Sequence, residues 1–430
     1  MNEDFLHYIW KFQQFNSLDL TSSGGEPIQV IKTGLHNQNA GPDFLDARIR
    51  IGDTIWAGNV EIHVASSDWL KHNHQTDKAY DNVILHVVYT NDAEIPTSTG
   101  ELISTLCIKD LFDYQTYRYY KSWQKSAKFI PCEGMVENVA AITKSSAVEH
   151  AAIARLETKS TVCIDHLHET KGDIEETLYR VLLRSFGMKV NALPFEHLAR
   201  ITPLDLVRKT WDSEYMLQAL FLGQAGFLEA PKERHPDVLK LQKDYIFLAA
   251  KYNLKPMPVS AWKLFRLRPQ NFPQVRLAQI ARFYHSWKSI GQKVIETHRA
   301  EDLLNLFDIT LDGDFWLHHY TLDRASTPVA KSIGGSASVS LLINGIVPFL
   351  VALSNYNKDN TFRDRAFSIL EELPPESNTI TKKFTEMGFR TENALDTQGI
   401  IHLKQFGCDA RKCLNCRIGI QLIKSYAETS

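Results

Sequence analysis

Residues 36–86, HNQNAGPDFLDARIRIGDTIWAGNVEIHVASSDWLKHNHQTDKAYDNVILH, gather side chains that bind metals and move protons. Asp43 sits in GPDF, and Glu61 and His63 sit in NVEIH. Strand side chains alternate with period two, so Glu61 and His63 share one face. A hairpin turning at Gly52-Asp53 would bring Asp43 opposite Glu61. Two carboxylates at one end of a hairpin suit a hard divalent cation such as Mg²⁺ or Mn²⁺. His72, His74 and Asp77 follow in SDWLKHNHQTDKAY, a density of imidazole and carboxylate that can build a transition-metal site. On one continuous helix His72 and His74 would diverge, so both could ligate only from a loop. The plainer reading of that segment is a solvated connection. His86, inside an apolar strand, reads as a hydrogen-bonded core residue, and His36 precedes the GPDF turn.

A second constellation closes the chain. Residues 407–419, GCDARKCLNCRIG, space Cys408, Cys413 and Cys416 as C-x4-C-x2-C. A CxxC turn directs two thiolates at one metal, and Cys408 supplies a third. Cys132, in IPCEG, is the best candidate for a fourth, and the group could be Zn²⁺ or an iron–sulfur cluster. Arg411, Lys412 and Arg417 are expected to lower the thiol pKa values. Cys107 and Cys163 stand in apolar contexts and read as buried.

The elements that must position these groups are legible in part. Phe5, Ile9, Phe12 and Phe15 recur at helical spacing within residues 3–16. Residues 26–33, 44–51 and 54–64 read as strands, with Gly52-Asp53 between the last two. Residues 67–80 are polar and predict a short helix. Residues 82–90, NVILHVVYT, form a fourth strand whose near-continuous apolar run predicts burial on both faces. From about Val139 the pattern turns helical, most clearly where Asp173 and Glu176 form a capping box ahead of an apolar face of Ile174, Leu178, Val181, Leu182 and Phe186. The expected class is α+β: an N-terminal domain over 1–125, a helical domain over 139–400 and a cysteine module over 401–430.

Composition sets outer limits. The chain has 430 residues, 44% apolar and 23% charged, with a net charge of −2. That is globular rather than disordered, and it excludes a histone-like polycation. Six cysteines in this length do not make a disulfide scaffold. The N-terminus MNEDFLHYIW lacks the basic-then-apolar pattern of a secretory signal. Residues 341–353, LLINGIVPFLVAL, are interrupted by Asn344, Gly345 and Pro348 and read as a buried helix rather than a span. The expectation is a soluble cytoplasmic protein without membrane partners. In residues 262–282, Arg266, Arg268 and Arg276 interleave with Trp262, Phe265 and Phe272, which suits a phosphate-tracking groove and makes nucleic acid the candidate partner. An amphipathic helical pair is the bland alternative.

Helix–strand–strand–strand–helix–strand, with Pro42-Asp43 and then Glu61-Ile62-His63, resembles the PD-(D/E)xK nuclease superfamily over roughly the first 90 residues. The resemblance implies that Asp43 and Glu61 hold Mg²⁺ or Mn²⁺ for phosphodiester hydrolysis. His63 stands where that family carries a Lys, and it lacks a permanent charge; Lys71 or Lys78 could replace it. Three functions are expected: a divalent-metal nuclease with Asp43, Glu61 and His63 in the catalytic roles, an inactive nuclease-fold protein that binds nucleic acid or acts as a scaffold, or a transition-metal hydrolase using His36, His63, His72 and His74. Dispersed phrases (WAGNVEIH, LRPQNFPQVRLAQ and CDARKCLNCRIG among them) also resemble an uncharacterised bacterial domain-of-unknown-function family.

Overall fold

A computed structural model describes residues 1–37, 39–97, 100–229 and 235–429. The chain divides into two compact units. The first comprises residues 1–147, 383–389 and 403–430, and the second residues 148–382 and 390–402. The C-terminal cysteine segment therefore belongs with the N-terminal sheet. A long helix, Ala141–Glu169, carries the chain from the first unit into the second.

The first unit opens with helix α1 (Glu3–Lys11), which buries Phe5, Leu6, Tyr8, Ile9 and Trp10. Strands β1 (Ile28–Lys32), β2 (Leu35–His36), β3 (Phe44–Ile51) and β4 (Thr54–Ala65) follow. A short helix α2 (Asp68–Lys71) leads through two tight turns to β5 (Val83–Thr90), then β6 (Thr105–Cys107) and helix α3 (Tyr114–Gln124). The sheet order is β1-β3-β4-β5-β6, with β2 paired to β3. β1, β3 and β4 are antiparallel, while β5 and β6 continue parallel to β4.

Alternation sorts the strand side chains. Val60, Ile62, Leu85 and Val87 join α1 in one hydrophobic cluster. Glu61 and His63 take the other face of β4 by the same period of two. The β3–β4 hairpin keeps one register from Ile51↔Thr54 to Ala47↔Gly58, then slips to Phe44↔Val60. The slip is a bulge, and Asp46 within it is left-handed at φ 56°. It sets the end of β3 against Glu61 of β4.

The second unit is helical around a core that includes Leu178, Leu182, Phe186, Phe221, Phe283 and Leu350. Asp173 caps the helix Ile174–Phe186 by accepting the Glu176 N–H at 3.0 Å. The Glu176 side chain turns instead to Arg180 and the Leu204 N–H, so the capping box is one-sided. The helical stretch Gly335–Asn357 is long and apolar enough to cross a membrane, but 72% of its apolar window is buried inside the protein. It contains a π-type turn at Leu342–Ile346, where Ser185 Oγ donates to the Asn344 carbonyl at 3.2 Å.

Candidate functional site

The ends of β3 and β4 are braced by their own carboxylates. The Asp43 N–H donates to Glu61 Oε2 at 3.1 Å, and the Ile62 N–H donates to Asp43 Oδ2 at 3.0 Å. Asp43 Oδ2 also meets His7 Nε2 from α1 at 3.2 Å. Glu61 keeps its other oxygen free of the brace. That Oε1 lies 3.4 Å from His74 Nε2 and 3.6 Å from His63 Nε2.

His63, His72 and His74 bring one ligand nitrogen each within 4.8 Å of one another. His63 Nε2 and His72 Nδ1 are 3.1 Å apart. A tetrahedral metal with bonds of about 2.0–2.1 Å to nitrogen spaces its ligands by about 3.3 Å. The three imidazoles and Glu61 Oε1 thus approximate a four-ligand set for a first-row transition metal.

Local backbone chemistry explains the convergence. His72 ends α2, Asn73 is left-handed at φ 60°, and His74 starts a new turn. The break at Asn73 redirects the chain, so His72 and His74 face one point although one helix would part them. Asn tolerates this conformation better than most residues. Asp77 is not part of the set: it accepts the Ala79 N–H at 2.9 Å and caps the next turn.

Surrounding residues fix the imidazoles. His63 Nδ1 lies 2.9 Å from His86 Nε2. For His63 to offer Nε2 to a metal, its Nδ1 must carry the proton and donate it to His86. Tyr80 stacks on His74 with ring centroids 3.8 Å apart, and buried Trp69 packs edge-on against His74 and Tyr80. His63 is 1% exposed and Glu61 5%, whereas His72 is exposed, so the set opens to solvent on one side.

The electrostatics suit a cation. Burial, then the neighbouring Asp43 charge, pushes Glu61 up to about 9. Burial, then His72 and His74, pushes His63 down to about 4. His86 falls to about 3, chiefly by burial. Near neutral pH the His63 imidazole is therefore uncharged and able to ligate.

The other candidates fall elsewhere. His36 stacks on Phe44 and meets His7 edge-on, beside Asp43 rather than among the three imidazoles. Lys71 is exposed and paired with Asp68 at 2.6 Å, so it does not stand in for the missing lysine. Lys78 is exposed as well. In the second unit, Arg266 and Arg268 are exposed beside the protruding Phe265, but Arg276 is 3% exposed and bonded to Asn271 and Gln279. Arg276 supports the interior there instead of presenting a cation. His7 escaped the sequence reading, because a lone His on an amphipathic helix carries no signal of its own.

All four cysteines expected to share a metal lie in the first unit. Two cysteine expectations are corrected. Cys107 is exposed, because β6 is an edge strand whose outward side chain meets solvent. The nearby cations do not bring the thiols down. Burial dominates and pushes Cys132 up to about 12 and Cys413 up to about 11, with Arg411 only partly offsetting the latter.

Comparison with known proteins gives a family. A model described as "Protein of unknown function (DUF2851)" matches residues 3–379, and the chain belongs to that family. No curated protein and no solved structure matches the chain.

Proposed function

We propose that this member of the family is a metal-dependent hydrolase whose metal is held by His63, His72, His74 and Glu61. One observation carries the reading: three imidazole nitrogens lie within 4.8 Å of one another, with a buried carboxylate oxygen 3.4 and 3.6 Å from two of them. A metal bound there supplies Lewis acidity and an acidified water. The protein's own residues do the rest. His86 holds the His63 ring and its tautomer, and Tyr80 and Trp69 hold His74. Asp43, kept in place by the Ile62 N–H and His7, accepts a proton from the attacking water at the edge of the set.

Phosphodiesters are the proposed substrate class, and DNA or RNA the proposed partner. Support comes from the helix and mixed sheet around an Asp–Glu pair, and from the exposed Arg266, Arg268 and Phe265. The cation differs from the Mg²⁺ that Asp43 and Glu61 alone would favour, because nitrogen donors outnumber oxygen here. A second reading is a nuclease-like fold that binds without cleaving, favoured by the pairing of Lys71 with Asp68.

The test is cleavage of single- and double-stranded DNA and RNA with Zn²⁺, Mn²⁺, Co²⁺ or Mg²⁺. We expect turnover with a transition metal and a loss of about 100-fold or more in His74→Ala and Glu61→Gln with the fold retained. Cleavage undiminished in both variants would remove the site. Salt-sensitive binding without turnover under every cation would leave the second reading.

A further inference from the structure

We propose that Cys132, Cys408, Cys413 and Cys416 hold an iron–sulfur cluster, which staples residues 403–430 to the segment after α3. This rests on nothing in the histidine site.

The geometry begins with how the two segments meet. Gln124 Nε2 donates to the Arg411 carbonyl at 3.1 Å, and Arg411 Nη2 donates to the Ser126 carbonyl at 2.6 Å. Tyr119 stacks on Tyr426 with centroids 4.1 Å apart, and Lys404 Nζ lies 4.6 Å from the Phe129 ring centre. Cys413, Leu414 and Ile423 pack into the same hydrophobic cluster as Tyr117, Tyr120 and Trp123. These contacts bring together cysteines that are far apart in sequence.

All four cysteines lie in one compact unit. None is in a disulfide. Tyr119, stacked on Tyr426, donates its hydroxyl to Met135 Sδ at 2.8 Å, and the Met135 N–H donates to the Cys132 carbonyl at 3.0 Å, so the Cys132 turn sits beside the C-terminal helix. Cys413 is buried and Cys132, Cys408 and Cys416 are partly buried, so a metal group there would be shielded from solvent on most sides. The site also carries donors for sulfur. Cys416 precedes the helix Arg417–Thr429, and the backbone N–H groups of Ile418 and Gly419 hydrogen-bond its sulfur. Gly419 is required for that approach, since a Cβ there would lie 2.1 Å from the Cys413 carbonyl oxygen. Arg411 near Cys413 and Lys404 near Cys408 offset anionic charge.

Spacing decides between one ion and a cluster. A zinc ion with bonds of about 2.3 Å to sulfur holds its four thiolates about 3.8 Å apart. Among the described residues, the group whose ligand atoms come within 4.8 Å of one another is the histidine trio, and no three of these sulfurs do so. A polynuclear cluster takes thiolates spaced more widely than a single ion does, and that wider spacing is the one proposed here.

The experiment is metal and acid-labile sulfide analysis of the full-length chain purified without oxygen, with its visible spectrum before and after dithionite. We expect ~4 iron and ~4 sulfide per chain and a broad visible absorption that bleaches on reduction. Cys132→Ser should lose iron and sulfide together, and His74→Ala should keep both. Zinc at ~1 per chain without sulfide, or a wild-type chain free of iron, would overturn the proposal whether or not the serine variant folds. So would a folded Cys132→Ser that retains the full iron and sulfide content.

Discussion

Glu61 and His63 share one face of β4, and burial moves their pKa values in opposite directions. Glu61 is pushed above its ordinary value to about 9 and His63 below its own to about 4. The Glu61 contribution to the metal-free fold is full below about 4.5 and is lost as pH climbs toward 9. The His63 and His86 contributions are present above about 6.5 and are lost as pH falls toward 4 and 3. Metal binding must displace the Glu61 proton, so affinity should rise with pH across neutrality, measurable as buffer-dependent heat in titration calorimetry. Glu61→Gln should stabilise the metal-free chain at pH 8 by about 1–2 kcal/mol in urea unfolding. The same change should weaken metal binding by about 10-fold or more. A variant less stable than wild type at pH 8 would contradict the burial penalty and the Asp43 repulsion assigned to Glu61. At this scale Asp43, Glu61 and His63 were legible, because strand alternation and a hairpin turn suffice to group them. His7 was not, since its meeting with Asp43 depends on where α1 packs.

Two backbone irregularities assemble the site. The bulge at Asp46 aligns Asp43 with Glu61, and the left-handed Asn73 turns His72 and His74 toward one point. Gly58, beside the bulge, lets β4 approach β5: a Cβ there would lie 2.5 Å from Ile84 Cγ2 and 2.6 Å from the Asn82 carbonyl oxygen. Gly58→Ala should therefore cost about 2 kcal/mol or more and weaken metal binding by displacing β4, read by urea unfolding and calorimetry on one preparation. A variant with both properties unchanged would show that the close approach relaxes cheaply. The strands β3 and β4 were readable because alternation and the Gly52-Asp53 turn agree. α3 was not, because its buried face is made of Thr116, Tyr117, Tyr120 and Trp123, and tyrosines do not register as an apolar stripe. β6 has three residues, too few for a period to show.

For the whole molecule, the sequence carried the change from sheet to helices but not the return of the chain. Residues 403–430 join the first unit across more than two hundred intervening residues, and no local pattern encodes such a contact. The helical stretch Gly335–Asn357 illustrates the same limit, since its apolar character fits a membrane span as well as a core, and its burial favours the core. Metal at the histidine set should stabilise the first unit selectively. In hydrogen exchange, added Co²⁺ should slow β4, β5 and the segment between them while residues 174–370 stay unchanged. Uniform protection across both units would contradict a site confined to the first.

The most direct measurement of the central claim is a Co²⁺ titration followed by visible absorption, on wild type and on His74→Ala, each read as the difference from its own cobalt-free spectrum. An imidazole–carboxylate set should give weak ligand-field bands that saturate at ~1 Co²⁺ per chain, without thiolate charge-transfer bands. Those bands should vanish in a folded His74→Ala. Bands of equal intensity in both proteins, or none in wild type, would contradict a metal centre at His63, His72, His74 and Glu61.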